Sequence, residues 1–110
     1  MEQVFNKLVR DNIPNIIESN GEIAVTRTLD DSEYRTELYR KLEEETNEVI
    51  EAQEKKNMLE ELADVLEVLR AIAELEKKNL DDIIELANQK KLKRGGFEKR
   101  IFLEKTYNKK

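Results

Sequence analysis

Residues 38–75 read LYRKLEEETNEVIEAQEKKNMLEELADVLEVLRAIAEL, and the placing of acids among the leucines in this stretch decides the fold. Leu38, Leu42, Val49 and Ala52 recur at helical spacing, and the place between Leu42 and Val49 that the seam would give to an apolar residue is taken by Glu45. Further on, Glu61, Asp64, Val68, Ala71 and Leu75 form a second seam that begins with two acids. Glu45/Glu48 and Glu61/Asp64 are each spaced i, i+3, so both members of a pair share a helix face. The two pairs are also equidistant from a point between residues 54 and 55. A hairpin turning there brings Glu45 level with Asp64 and Glu48 level with Glu61. Four carboxylates then meet between two helices, where uncompensated negative charge is strongly disfavoured. A cation is expected among them, and ligation by oxygen alone suits Mg2+ or Mn2+.

Working outward, Asp31 or Ser32 is the expected N-cap of a first long helix running from about residue 33 to about 55. Lys55-Lys56-Asn57 reads as the connection, and a second helix spans about residues 58–77. That helix carries a further stripe, Leu62, Leu66, Leu69 and Ala73, broadened by Val65 and Ile72. Asn79 caps a third helix from residue 80 to about 93, with Ile83, Ile84 and Ala87 inward and Gly95 as its stop. The expected fold class is all-α, a helical hairpin plus a third helix. A helix apolar on this much of its circumference needs partners on several sides, and three helices are too few. The chain is therefore expected to be a homo-oligomer, most simply a dimer that completes a four-helix-bundle-type core, with a tetramer also open. Residues 1–31 read as an irregular N-terminal arm, with a short extended stretch over 23–29 and a turn at Asn20-Gly21. Residues 95–110 read as a tail that packs back, and the whole of 1–110 as a single domain.

Composition narrows the chemistry. The chain has no cysteine and no histidine, which removes thiolate catalysis, disulfides, Ser-His and Cys-His catalysis and zinc-type His ligands. Acid–base work must come from Asp, Glu, Lys, Tyr or a metal-bound water. Charged residues make up 41% of the chain, a well-solvated helical composition with a modest core. A net charge of -5 speaks against a nucleic-acid polymer as partner, although the C-terminal third is locally basic. No apolar run is long enough to span a membrane and no signal peptide is evident, so no membrane partner and a cytoplasmic location are expected.

The runs Lys41-Leu-Glu-Glu-Glu-Thr-Asn-Glu48 and Glu60-Glu-Leu-Ala-Asp64 give E-x-x-E, a gap spanning positions 49–60, then E-x-x-D. With them the chain resembles the all-α nucleoside triphosphate pyrophosphohydrolases: the MazG-like enzymes and their relatives, phosphoribosyl-ATP pyrophosphohydrolase and dimeric dUTPase. Lys7-Leu-Val-Arg-Asp-Asn-Ile-Pro14 and Lys93-Arg-Gly-Gly-Phe97 are similar to segments of a phosphoribosyl-ATP-pyrophosphohydrolase-like MazG subgroup, and the resemblance covers roughly residues 4–103. It implies Mg2+-dependent cleavage of a nucleoside triphosphate to monophosphate and pyrophosphate, with house-cleaning of non-standard (d)NTPs as one such role. Phosphoribosyl-ATP is the alternative substrate, and a non-catalytic nucleotide-binding or assembly module is the alternative class.

On that resemblance Glu45, Glu48, Glu61 and Asp64 would hold the metal. One of the glutamates or neighbouring Glu44 would position or deprotonate the water. Lys41, one turn before Glu44 and Glu45, would meet a phosphate oxygen, and Lys93 and Arg94 would clamp the pyrophosphate. Lys7 and Arg10 are candidate substrate-binding residues. Plainer readings stand beside these: Lys93 and Arg94 also complement the negative end of the third helix, and Lys7, Arg10 and Asp11 also suit an arm docked by an ion pair. Phe5, Tyr39 and Phe97 suit core packing as well as base stacking.

Overall fold

Capping chemistry marks where the helices begin. Asp30 Oδ1 accepts from Glu33 N at 2.8 Å, and Asp30 N donates to Glu33 Oε1 at 3.4 Å. This reciprocal pair satisfies free amides at the entry of the longest helix. The expected cap at Asp31 or Ser32 is thus displaced to Asp30, because only Asp30 has an acid three residues ahead that returns the bond to its own amide. Arg27 braces the same glutamate with two hydrogen bonds, at 3.2 and 2.9 Å.

The structure is a computed structural model that describes residues 2–52 and 57–109. Four helices follow in chain order: α1 (Ile13–Ser19), α2 (Asp31–Glu51), α3 (Met58–Leu75) and α4 (Leu80–Arg94). No strand occurs among the described residues, so the fold is all-α as expected. Residues 23–29, expected to be extended, form no ladder, and Ile23 and Val25 lie open to solvent. The arm expected to be irregular contains α1. Its signal was Pro14, a residue that suits the first turn of a helix because its missing amide is not needed there. The Lys55-Lys56 connection and the centre of the hairpin lie outside the described residues.

α3 ends at Leu75, two residues earlier than expected. Lys77 takes a left-handed conformation (φ 59°), and Lys78 N reaches back to Ala73 O at 3.0 Å while Lys77 N bonds Glu74 O at 3.0 Å. This is a Schellman closure with lysine at the place glycine usually fills. One residue on, Asn79 Oδ1 accepts from Asp82 N at 2.9 Å and starts α4. Gly95, at φ 83°, ends it as expected.

α2 packs along α3, and α4 meets α3 but has no contact with α2. Arg35 at the start of α2 bonds Glu76 just past the end of α3 at 2.9 Å, as an antiparallel hairpin requires. Of the two stripes on α3, the one headed by Glu61 and Asp64 faces α2, with Val68 buried and Ala71 and Leu75 half-buried. From α2, Leu38 is only 3% exposed, while Leu42, Glu45, Val49 and Ala52 are half-buried. Of the other stripe, Leu62, Leu66 and Leu69 lie open, while Ala73 is buried and Val65 and Ile72 are half-buried. The inward placing expected for Ile83, Ile84 and Ala87 is not found: all three are exposed, and Leu80 alone is buried in α4. Nor does the tail pack back, since Phe97, Ile101, Phe102 and Tyr107 are exposed. The apolar groups of α4 and the tail exceed what one hairpin can cover.

The cap gives a direct test of this local reading. Asp30→Ala is expected to lower stability by about 1 kcal/mol in chemical denaturation followed by circular dichroism, with Asp30→Asn retaining most of it.

Candidate metal and nucleotide site

The seam of the hairpin brings together acids from both helices. Carboxylate oxygens of Glu45 on α2 and of Glu61 and Asp64 on α3 lie within 4.8 Å of one another, all on half-buried residues. Glu48, expected as a fourth member, does not join this group and is exposed at its flank. It is still close enough to act on Glu61. The Glu61 carboxyl is pushed above its ordinary value by burial first, then by the hydrogen bond it shares with Glu48, then by the charges of Glu48, Asp64 and Glu45. Glu45 is raised as well, by burial first and then by Glu48, with Lys41 acting in the opposite direction. Glu61 Oε2 is buried without a hydrogen-bond partner. A buried carboxylate oxygen without a donor, beside two other carboxylates, lacks a positive charge that the protein itself does not deliver to it. A hard divalent cation with oxygen ligands fits that donor set.

Cations approach the rim of the group. Lys41 Nζ lies 3.5 Å from Glu44 Oε2 and 3.6 Å from Glu45 Oε1, so Lys41, Glu44 and Glu45 form one cluster on α2. From the N-terminal arm, Arg10 Nη2 donates to Asp64 Oδ1 at 2.7 Å. An arm docked by an ion pair was expected, but its partner, 54 residues away, was not legible in the sequence. Lys7 does not accompany Arg10 to the acids; its ammonium sits 5.9 Å above the Phe5 ring. Nor are Lys93 and Arg94 brought to them within one chain. They lie in the last turn of α4, and neither makes an ion pair among the described residues.

The raised carboxyls tie the site to stability. A carboxyl whose folded pKa lies above its unfolded value keeps a proton that the unfolded chain has released, so its stabilising contribution is lost as pH rises through the folded pKa. In EDTA, Glu61→Gln is therefore expected to raise the melting temperature at pH 7. The gain should shrink as pH falls toward the ordinary glutamate value of 4.5. Calorimetric melts of both proteins across that range check the sign; a gain that grows on acidification would contradict it.

Comparison with known proteins bears on this geometry. A protein of Mycolicibacterium smegmatis (strain ATCC 700084 / mc(2)155), described only as uncharacterised, is 49% identical over 43 residues, covering 39% of this chain and 44% of that protein. The chain thus matches less than half the length of that relative. No solved structure matches. The family model for the MazG nucleotide pyrophosphohydrolase domain matches residues 34–95, a span that holds all but the first turn of α2, the whole of α3 and α4, and every acid of the group. The chain belongs to the MazG nucleotide pyrophosphohydrolase domain family.

Proposed function

We propose that this protein is a Mg2+-dependent hydrolase that cleaves a nucleoside triphosphate to the monophosphate and pyrophosphate, with non-standard (d)NTPs as the substrates to test first. The observation that carries the reading is the convergence of Glu45, Glu61 and Asp64 around the unpartnered Glu61 Oε2, in a chain of a pyrophosphohydrolase family. Those three side chains would hold the ion, with Glu48 at the flank. When bound, Mg2+ would neutralise phosphate charge and lower the pKa of its water.

The remaining roles follow from where the side chains stand. Glu44 lies outside the three-acid group and is held by Lys41 at 3.5 Å, which fixes its direction and leaves it free to take a proton from the attacking water. Lys41, only 18% exposed at its side chain, presents the nearest fixed ammonium on α2 for a phosphate oxygen. Lys93 and Arg94 bind phosphate in this reading through a second copy, since within one chain neither makes an ion pair with the acids among the described residues.

Surface area supports that second copy. The chain exposes 10763 Å², against about 6,300 Å² for a compact monomer of its mass. Its radius of gyration is 19.2 Å, where about 13 Å is usual for this length. Leu59, Leu62, Val65, Leu66 and Leu69 line an open apolar groove of about 480 Å³ along α3. Two hairpins laid together on these grooves would form the four-helix core. Charge favours the same arrangement: residues 88–110 hold nine Lys or Arg against two Glu, while the remainder holds eleven against twenty-three acids. The basic end of one copy is thus complementary to the acidic hairpin of another.

Pyrophosphate release from a panel of standard and modified (d)NTPs tests the reaction. Release of pyrophosphate with monophosphate, abolished by EDTA and reduced at least about a hundredfold in Asp64→Asn, is expected. Turnover intact in Asp64→Asn would remove the metal assignment, and release of phosphate with diphosphate would remove the reaction. For the assembly, Leu62→Lys with Leu66→Lys is expected to shift the protein from dimer to monomer in sedimentation equilibrium; a wild-type monomer would refute it.

A further inference from the structure

Among the described residues the N-terminal arm reaches the acid group through one polar contact, Arg10 to Asp64 at 2.7 Å. The two side chains are 59% and 42% exposed, so this is an ion pair in contact with water, of the kind that contributes little to stability and exchanges readily. The arm does not depend on that bond alone to stay near. Leu8 and Val9, next to Arg10, are half-buried, and Arg10 O accepts from Ile13 N at 3.0 Å at the entry to α1. Arg10 can therefore release its carboxylate while its backbone remains at the rim of the site.

Asp64 has two claims on it. It donates an oxygen to the group shared with Glu45 and Glu61, and it also holds the guanidinium. A divalent ion seated among the three carboxylates would stand within a few ångströms of the Arg10 charge, and like charges that close repel. Of the three acids, Glu45 already has Lys41 beside it and Asp64 has Arg10, whereas Glu61 Oε2 has no donor. The arm thus supplies a cation to the acid group without reaching its most buried oxygen.

We propose that Arg10 is a tethered counter-cation which a divalent ion displaces from Asp64, and that the freed guanidinium then binds the phosphate oxygens of the nucleotide. This rests on the metal reading of the acid group given above. A guanidinium fork matches two phosphate oxygens as well as it matches a carboxylate, so the exchange replaces one bidentate-capable partner with another. Loading of the ion and engagement of the arm become a single linked event. Phosphate recognition by Arg10 is then weak until the ion is in place.

Isothermal titration of the full chain with Mn2+ alone, and then with α,β-methylene-dATP in saturating Mg2+, tests this on wild type and Arg10→Gln. The variant alters a water-exposed side chain, and circular dichroism confirms its fold. The exchange predicts effects of opposite sign. Arg10→Gln binds Mn2+ about three- to tenfold more tightly than wild type, having lost one exposed ion pair and one repelling charge. It binds the uncleavable nucleotide more weakly. If wild type binds Mn2+ and Arg10→Gln binds it equally or less tightly, the displacement is overturned while the metal site stands. Tighter Mn2+ binding with unchanged nucleotide affinity overturns the transfer to phosphate. If neither protein binds Mn2+, the metal reading falls and this proposal falls with it.

Discussion

Mutual repulsion among carboxylates in the seam of one helical hairpin is the constraint on which the rest of the molecule depends. Glu45, Glu61 and Asp64 occupy positions that helix packing would assign to apolar residues, and their oxygens converge within 4.8 Å. Replacing them with leucine would complete the seam, so their presence costs stability that only compensating charge can return. The protein places some of that charge itself. Lys41 lies against Glu45 and Glu44 from the same helix, and Arg10 comes to Asp64 from the arm. Neither serves Glu61, whose carboxyl is held above its ordinary value by burial and by Glu48.

The hairpin can carry this strain because it is anchored away from the acids. Leu38 and Val68 fill the seam beyond them, Ala73 allows close approach near the turn into α4, and Arg35 clasps Glu76 across the open end. The buried set is nonetheless small, with Leu38, Val68, Ala73 and Leu80 as its apolar members among the described residues. Small cores support little net stability on their own. The open stripe of Leu62, Leu66 and Leu69 belongs to the same problem, being apolar surface that one hairpin cannot bury. The acid group thus belongs to the α2–α3 unit, while the exposed apolar groups of α4 and of the tail remain uncovered within one chain.

How far the site could be read in advance differs residue by residue. Glu45, Glu61 and Asp64 were legible because helical periodicity and equal distance from the turn are local, countable properties. Glu48 meets Glu61 as the same counting expected, while the closest cluster of oxygens is formed by the other three acids. α1 was overlooked because its seven residues, with three isoleucines and a proline, are too few for the apolar pattern to repeat and reveal a short helix.

The sequence by itself determined the all-α class, the three long helices to within a turn, the caps at Asn79 and Gly95, and the seam that carries the acids. These follow from interactions between residues three or four apart, which propensity, capping and periodicity report directly. Tertiary structure decided the rest: that α4 meets α3 but not α2, that its isoleucines stay exposed, that the tail does not return, and that Arg10 selects Asp64. Each of those depends on where distant segments come to lie, and on a choice among several surfaces of similar polarity. Local spacing holds no record of that choice; packing and charge, acting between elements already formed, make it.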